Sequence, residues 1–228
     1  MITALLFPCI LGNTGWHKTN FVNEIRVLIV EDEPVIATNL SMYLNNNDFS
    51  VSGIAYDFDE AVLQLRQNTP DAAILDIGME LNDDGIHLAE LINSRYKIPF
   101  IFVTSYADRE TLQKAKRVEP SGYIVKPFNE KTLLASLEIA LSNHANKINH
   151  TVPGLDLQKI NKHLLSSLTE REFEVLQNIY VGKTNNQIAE TLFLSVNTIK
   201  AHIKSSYLKL DTSSRATTIN RLRELMLK

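Results

Sequence analysis

The chain has 228 residues, 44% of them hydrophobic and 21% charged, proportions ordinary for a folded globular protein with room for one large domain or two modest ones. Its single cysteine, Cys9, excludes an intramolecular disulfide, and no Cys/His cluster stands at metal-ligand spacing, so a zinc fold is not in view and a reducing, cytoplasmic setting is expected. The formal net charge of −3 hides an asymmetry, because residues 1–144 carry −8 and residues 145–228 carry +5; an acidic half suits a cation and a basic half suits phosphates.

Residues 1–24 open with a short apolar stretch, Ile2 to Leu11, interrupted by Pro8. It lacks a basic leader and a small-residue cleavage pattern and is too short to span a bilayer, so it reads as a disordered or mis-started extension with no membrane role. From residue 25 to 144, five short apolar runs alternate with helical periodicity: "IRVLIV" (25–30), "VSGIAY" (51–56), "AAILD" (72–76), "PFIFVT" (99–104) and "GYIV" (122–125). Runs that are apolar at successive positions are covered on both faces. They predict an α/β fold, a doubly wound five-stranded parallel sheet with helices on each side.

Residues 145–166 mix Asn, Lys, His, Pro and Gly without a sustained period and read as a linker, although 155–165 could add a short helix. Residues 167–228 then read as a second, smaller all-α domain of four helices. Thr169 to Glu172 and Thr184 to Gln187 are capping boxes, Ser195 caps a third helix, and Ser213 or Ser214 caps a fourth.

The chemistry sits at the strand ends. Asp76 closes the third apolar run, and Glu31 and Asp32 close the first. The usual order for such a sheet, 2-1-3-4-5, places strands one and three side by side at the switch point where ligands bind. Three converging carboxylates raise one another's pKa unless a cation lies between them, and Mg²⁺ is the hard ion that also accepts phosphate oxygens. Thr104 and Lys126, closing the fourth and fifth runs, add a hydroxyl and an ammonium suited to phosphoryl transfer, with Asp76 as the nucleophile. Taken singly, each residue could be a helix cap or a surface charge. Together they occupy the carboxyl ends of successive core strands.

The motifs "VLIVEDEP", "AILDIGM", "DGI", "FVTSYAD" and "GYIVKPF" make residues 24–144 resemble the receiver domain of two-component response regulators. The resemblance implies that Asp76 accepts phosphate from a sensor histidine kinase, and that Glu31, Asp32, Asp76 and the backbone carbonyl of Gly78 hold Mg²⁺. It implies a cis bond before Pro127 and makes Thr104 and Tyr123 a switch pair that responds to the phosphate. The loop "GMELNDDG" departs from the common pattern, being one residue longer and carrying Glu80 in place of proline.

In residues 184–210 two short helices joined at "LFLS" have helix-turn-helix length and spacing, with Val196, Ile199, Ile203, Tyr207 and Leu210 on one apolar stripe. Residues 167–228 resemble the LuxR-type DNA-binding domain of the NarL/FixJ response regulators through "LTEREFEVL", "GKTNNQIAETLFLSVNTIKAHIKSSYLKL" and "SSRA". By that resemblance Lys200, Ala201 and Lys204 reach base edges of double-stranded promoter DNA. Asn197, Thr198 and Ser205 lie nearer phosphates.

The combined expectation is a transcriptional regulator whose DNA binding is switched by phosphorylation, through homodimerisation or through release of the DNA-binding domain. It is not expected to be an enzyme beyond slow loss of its own phosphate. Phosphatases of the haloacid-dehalogenase type share the strand-end Asp, Mg²⁺, hydroxyl and Lys. They need a second carboxylate two residues after the nucleophile, and here that place is Gly78. The alternative is a constitutive DNA binder whose receiver serves only protein contacts.

Overall fold

The structure is a computed structural model that describes residues 24–45, 48–79, 84–105, 109–149 and 154–227. The N-terminal extension up to residue 23, including Cys9, lies outside the described residues, as does Glu80. Strands β1 (Ile25–Val30), β2 (Phe49–Ala55), β3 (Ala72–Leu75), β4 (Phe100–Thr104) and β5 (Gly122–Val125) alternate with helices α1 (Pro34–Leu44), α2 (Phe58–Asn68), α3 (Asp84–Leu91), α4 (Arg109–Arg117) and α5 (Glu130–Asn149). The strands form one parallel sheet in the order β2-β1-β3-β4-β5.

The reason is legible in β3, whose four residues are all buried. Successive side chains point to opposite faces, so a strand apolar at every position must be covered twice. On one face Leu28, Val30, Ala73, Leu75, Phe100 and Phe102 pack under α2, α3 and α4. On the other, Val27, Ile29, Ala72, Ile74, Ile101 and Val103 pack under α1 and α5.

Two helix ends are set by packing, and the second runs past the boundary expected at residue 144. Helix α3 runs into a π-helical turn over Ile92–Tyr96 that ends with Lys97 in the left-handed region at φ 54°. Helix α5 continues past His144 to Asn149, because Ala145 is buried and the His144 imidazole hydrogen-bonds the Lys97 carbonyl at 3.0 Å.

A third core belongs to α6 (Leu157–Asn161), α7 (Glu170–Tyr180), α8 (Asn185–Leu192), α9 (Val196–Leu210) and α10 (Arg215–Leu227). Both capping boxes form, on Thr169 with Glu172 and on Thr184 with Gln187. The Ser195 hydroxyl accepts from the Thr198 amide, and that of Ser214 accepts from the Thr217 amide. Helix α7 gives way to Gly182 at φ 89°, where a Cβ would also lie 2.6 Å from the Leu141 carbonyl oxygen of α5. A glycine is required there twice over, for the left-handed turn and for the close approach of the helical half to the sheet half. Among the described residues no helix is long and apolar enough to cross a membrane.

Candidate functional site: an acid pocket and a basic helix

Strand order decides which side chains can meet. Because β1 and β3 are neighbours, Glu31 and Asp32 at the end of one and Asp76 at the end of the other come together, with one carboxylate oxygen from each within 4.8 Å of the others. Glu31 and Asp76 are buried, at 1% and 6% exposure, and Asp32 is half-buried. Strand β4 brings Thr104, fully buried, to the same end of the sheet, and β5 is followed by Lys126 and a cis bond to Pro127.

Lys126 is the electrostatic hub. Its Nζ donates to Asp76 Oδ2 at 2.7 Å and to Glu31 Oε1 at 2.8 Å. Burial acts to lower the ammonium's pKa, but the hydrogen bonds to Asp76 and Glu31 outweigh it and the net direction is upward. Burial pushes the Glu31 carboxyl up to about 7, against the Lys126 hydrogen bond and with the repulsion of Asp76 and Asp32 added. The pocket thus holds more negative charge than one ammonium balances.

The second oxygen of Asp76 is tied to its own loop, since the Gly78 amide donates to Oδ1 at 3.0 Å. The loop is pinned from outside by Gly85 in the first turn of α3, where a Cβ would lie 2.1 Å from the Asp76 carbonyl oxygen. This close approach is the physical reason for the glycine of the "DGI" motif. Tyr123 is half-buried, packed edge-on against Phe102 with ring centroids 6.4 Å apart.

The donor set fits a divalent ion. Three carboxylates offer hard oxygens, and both oxygens of Glu31 lie 2.8 Å from the Lys126 ammonium, so the cluster already draws a cation to the point where its carboxylates converge.

At the other end of the chain, α8 and α9 are joined through Phe193 in the left-handed region at φ 54°. On α9, Ile199, Ile203, Tyr207 and Leu210 are buried and Val196 half-buried, as the stripe requires. Asn197, Ala201 and Lys204 are exposed on the opposite face. Thr198, Ser205 and Lys200 have partners within the molecule. Thr198 belongs to the Ser195 cap, with the two hydroxyls 2.8 Å apart, and Ser205 Oγ donates to Glu172 Oε1 at 2.6 Å. Lys200 Nζ donates to Glu24 Oε1 at 3.0 Å, across to the start of β1. Sequence periodicity gave the face of each residue and no sign of these partners.

Residues 27–138 match the family model described as response regulator receiver domain, and residues 166–222 match the model for bacterial regulatory proteins of the luxR family. The transcriptional regulatory protein LiaR of Bacillus subtilis is 32% identical over 198 residues, covering 84% of this chain and 93% of the relative. The oxygen regulatory protein NreC of Staphylococcus haemolyticus is 29% identical over 202 residues, with 84% and 93% covered. Among solved structures, a CheY-like receiver domain protein from Methanospirillum hungatei aligns with TM-score 0.50 at 26% identity, over 54% of this chain and 98% of that one.

Proposed function

Since this chain belongs to the two-component response regulators that join a receiver domain to a LuxR-type DNA-binding domain, we propose that it is a transcriptional regulator switched by phosphorylation of Asp76. The observation that carries this reading is the Lys126 ammonium bridging Asp76 and Glu31 beside Asp32, at the switch point of the sheet. A sensor histidine kinase supplies the phosphoryl group. A carboxylate oxygen of Asp76 forms the new bond to phosphorus as the bond to the kinase imidazole nitrogen breaks, and the electron pair returns to that ring. Glu31, Asp32, Asp76 and the Gly78 carbonyl would hold Mg²⁺, which supplies charge neutralisation at the transferring oxygens when bound. Lys126 turns from its carboxylate partners to the arriving phosphoryl oxygens, and the Thr104 hydroxyl donates to another.

The phosphate adds about −1.5 to −2 charge next to groups whose balance is already negative. It therefore favours whichever arrangement brings Thr104 and Lys126 closer, with Tyr123 repacking against Phe102. The outcome is altered homodimerisation or altered contact with the DNA-binding domain. The rival, a constitutive DNA binder, lacks any use for a buried carboxylate cluster.

The test joins chemistry to output. Acetyl phosphate with Mg²⁺ is expected to place one hydroxylamine-labile phosphoryl group on the wild type and none on Asp76→Asn. Beryllium fluoride is expected to raise DNA affinity in the wild type alone. Equal affinity in all four combinations of protein and beryllium fluoride would leave the constitutive binder standing.

A further inference from the structure

The helical half is seated at the opposite end of the sheet from the acid pocket, against the residues that precede the strands: Glu24 before β1, Asp48 before β2 and Asp71 before β3. Helices α8 and α10 begin in the same manner. In each, the N-cap hydroxyl takes the third amide: Thr184 Oγ1 accepts from Gln187 at 3.4 Å and Ser214 Oγ accepts from Thr217 at 3.2 Å. A helix start leaves four amides without intrahelical partners, so the second amide of each still needs an acceptor. In both helices a receiver aspartate provides it. The Asn186 amide donates to Asp48 Oδ2 at 2.9 Å, and the Ala216 amide donates to Asp71 Oδ1 at 2.8 Å.

Both aspartates are 3% exposed. Burying a carboxylate is costly unless donors compensate it; the Arg26 amide donates to Oδ2 of Asp71 at 3.1 Å within the receiver, and the helix-start amides supply the donors from the other half. Further polar contacts surround them. Lys200 of α9 is held by Glu24 at 3.0 Å, and the Gln187 amide side chain donates to Glu138 of α5 at 3.2 Å. Arg215, buried at 5% exposure, donates to the carbonyls of Ile179 and Lys183; burial lowers its pKa, with Tyr207 and then Asp71 and Asp48 opposing in part.

The donors thus occupied are the kind DNA uses. Helix N-termini bind phosphates through free amides and the positive end of the dipole, and the first helix of a helix-turn-helix, here α8, crosses the sugar-phosphate backbone. We propose that Asp48 and Asp71 are phosphate mimics: the receiver holds the DNA-binding domain by filling, with carboxylates, the helix-start donors that DNA phosphates take, so docking and DNA binding exclude each other. The inference rests on the DNA-binding reading above and adds the groups for which the two partners compete.

The test uses the full unphosphorylated chain and a fluorescent random-sequence duplex. Asp48→Asn/Asp71→Asn keeps the side-chain shape and removes the charges. Asp59→Asn/Glu110→Gln removes two exposed charges from α2 and α4 and controls for net charge. The mimic variant is expected to bind about tenfold tighter than wild type, corresponding to a docked state that leaves roughly one molecule in ten competent, while the control stays close to wild type. Amide hydrogen exchange is expected to rise at 185–187 and 215–217 with α9 unchanged, which shows the domain still folded. Should the double variant unfold α9, Asp48→Asn alone is expected to give a smaller gain of the same sign. Affinity of the mimic variants equal to that of the control, with beryllium fluoride still raising wild-type affinity, overturns the mimic and leaves the phosphorylation switch intact. Absence of DNA binding by every protein in every state removes both.

Discussion

Lys126 stands between two buried carboxylates and a site that wants a second cation. Replacing it by Met leaves Glu31 and Asp76 facing each other without an ammonium. Stranding a buried charge costs about 3–5 kcal/mol, here toward the lower figure because Glu31, raised to about 7 by burial, readily takes a proton. Thermal unfolding with and without Mg²⁺ measures this directly. The variant is expected to melt below wild type and to recover more of its midpoint on adding Mg²⁺, since the ion substitutes for part of the lost charge. Midpoints of variant and wild type that both ignore Mg²⁺ would show that the carboxylates do not form a cation site. At this scale the sequence carried the identities of Glu31, Asp32, Asp76, Thr104 and Lys126, because strand-end position is a one-dimensional property. It did not carry the bond from Lys126 to Glu31, which spans 95 residues, or the pressure of Gly85 on the Asp76 backbone, which exists only once α3 packs down.

Among the elements, α7 shows how one carboxylate serves several masters. Glu172 completes the Thr169 capping box and also accepts from Lys209 Nζ at 2.7 Å and Ser205 Oγ at 2.6 Å, joining α7 to α9. Burial would raise its carboxyl, but the bonds from Lys209, Ser205 and Thr169 prevail and bring it down to about 2. A carboxylate lowered in the folded state stabilises fully above its ordinary value of 4.5, and that contribution drains away as the pH falls from about 4.5 to 2. Glu172→Gln is therefore expected to cost about 1–3 kcal/mol at pH 7, and urea unfolding at pH 3 should show the gap narrowing. The box was readable from Thr-x-x-Glu spacing. The α9 partners were not, and they engage Ser205, which the family resemblance places near DNA phosphates, with Glu172. The end of α5 teaches the same lesson: "ANKIN" has weak helix propensity and reads as linker, yet burial of Ala145 and the His144 contact extend the helix, as tertiary packing routinely does.

For the whole molecule, the docked halves meet around His144. Burial holds its imidazole down at about 4, the hydrogen bond to the Lys97 carbonyl opposes this, and Arg223 of α10 and Lys147 of α5 add to the depression. A histidine depressed in this way leaves the folded state with fewer protons than the unfolded chain between about pH 6.5 and 4, so stability is full above that window and declines as pH falls through it. Unfolding free energies measured across this interval should fall less steeply in His144→Gln than in wild type. An identical slope in both would mean that the imidazole protonates without disturbing the contact with α10.

Composition, strand-end acids and cap spacing were enough to establish a parallel sheet carrying an acid pocket, followed by a basic helix-turn-helix, because these depend on local periodicity and on topological rules that hold for any chain with this alternation. What the sequence left open was how the halves face each other. That Asp48 and Asp71 cap α8 and α10, and that Lys200 rests on Glu24, depends on pairs 138, 145 and 176 residues apart. Only closure of the chain in three dimensions brings such groups within reach, since no local pattern distinguishes an aspartate before a strand that faces water from one that faces a helix start.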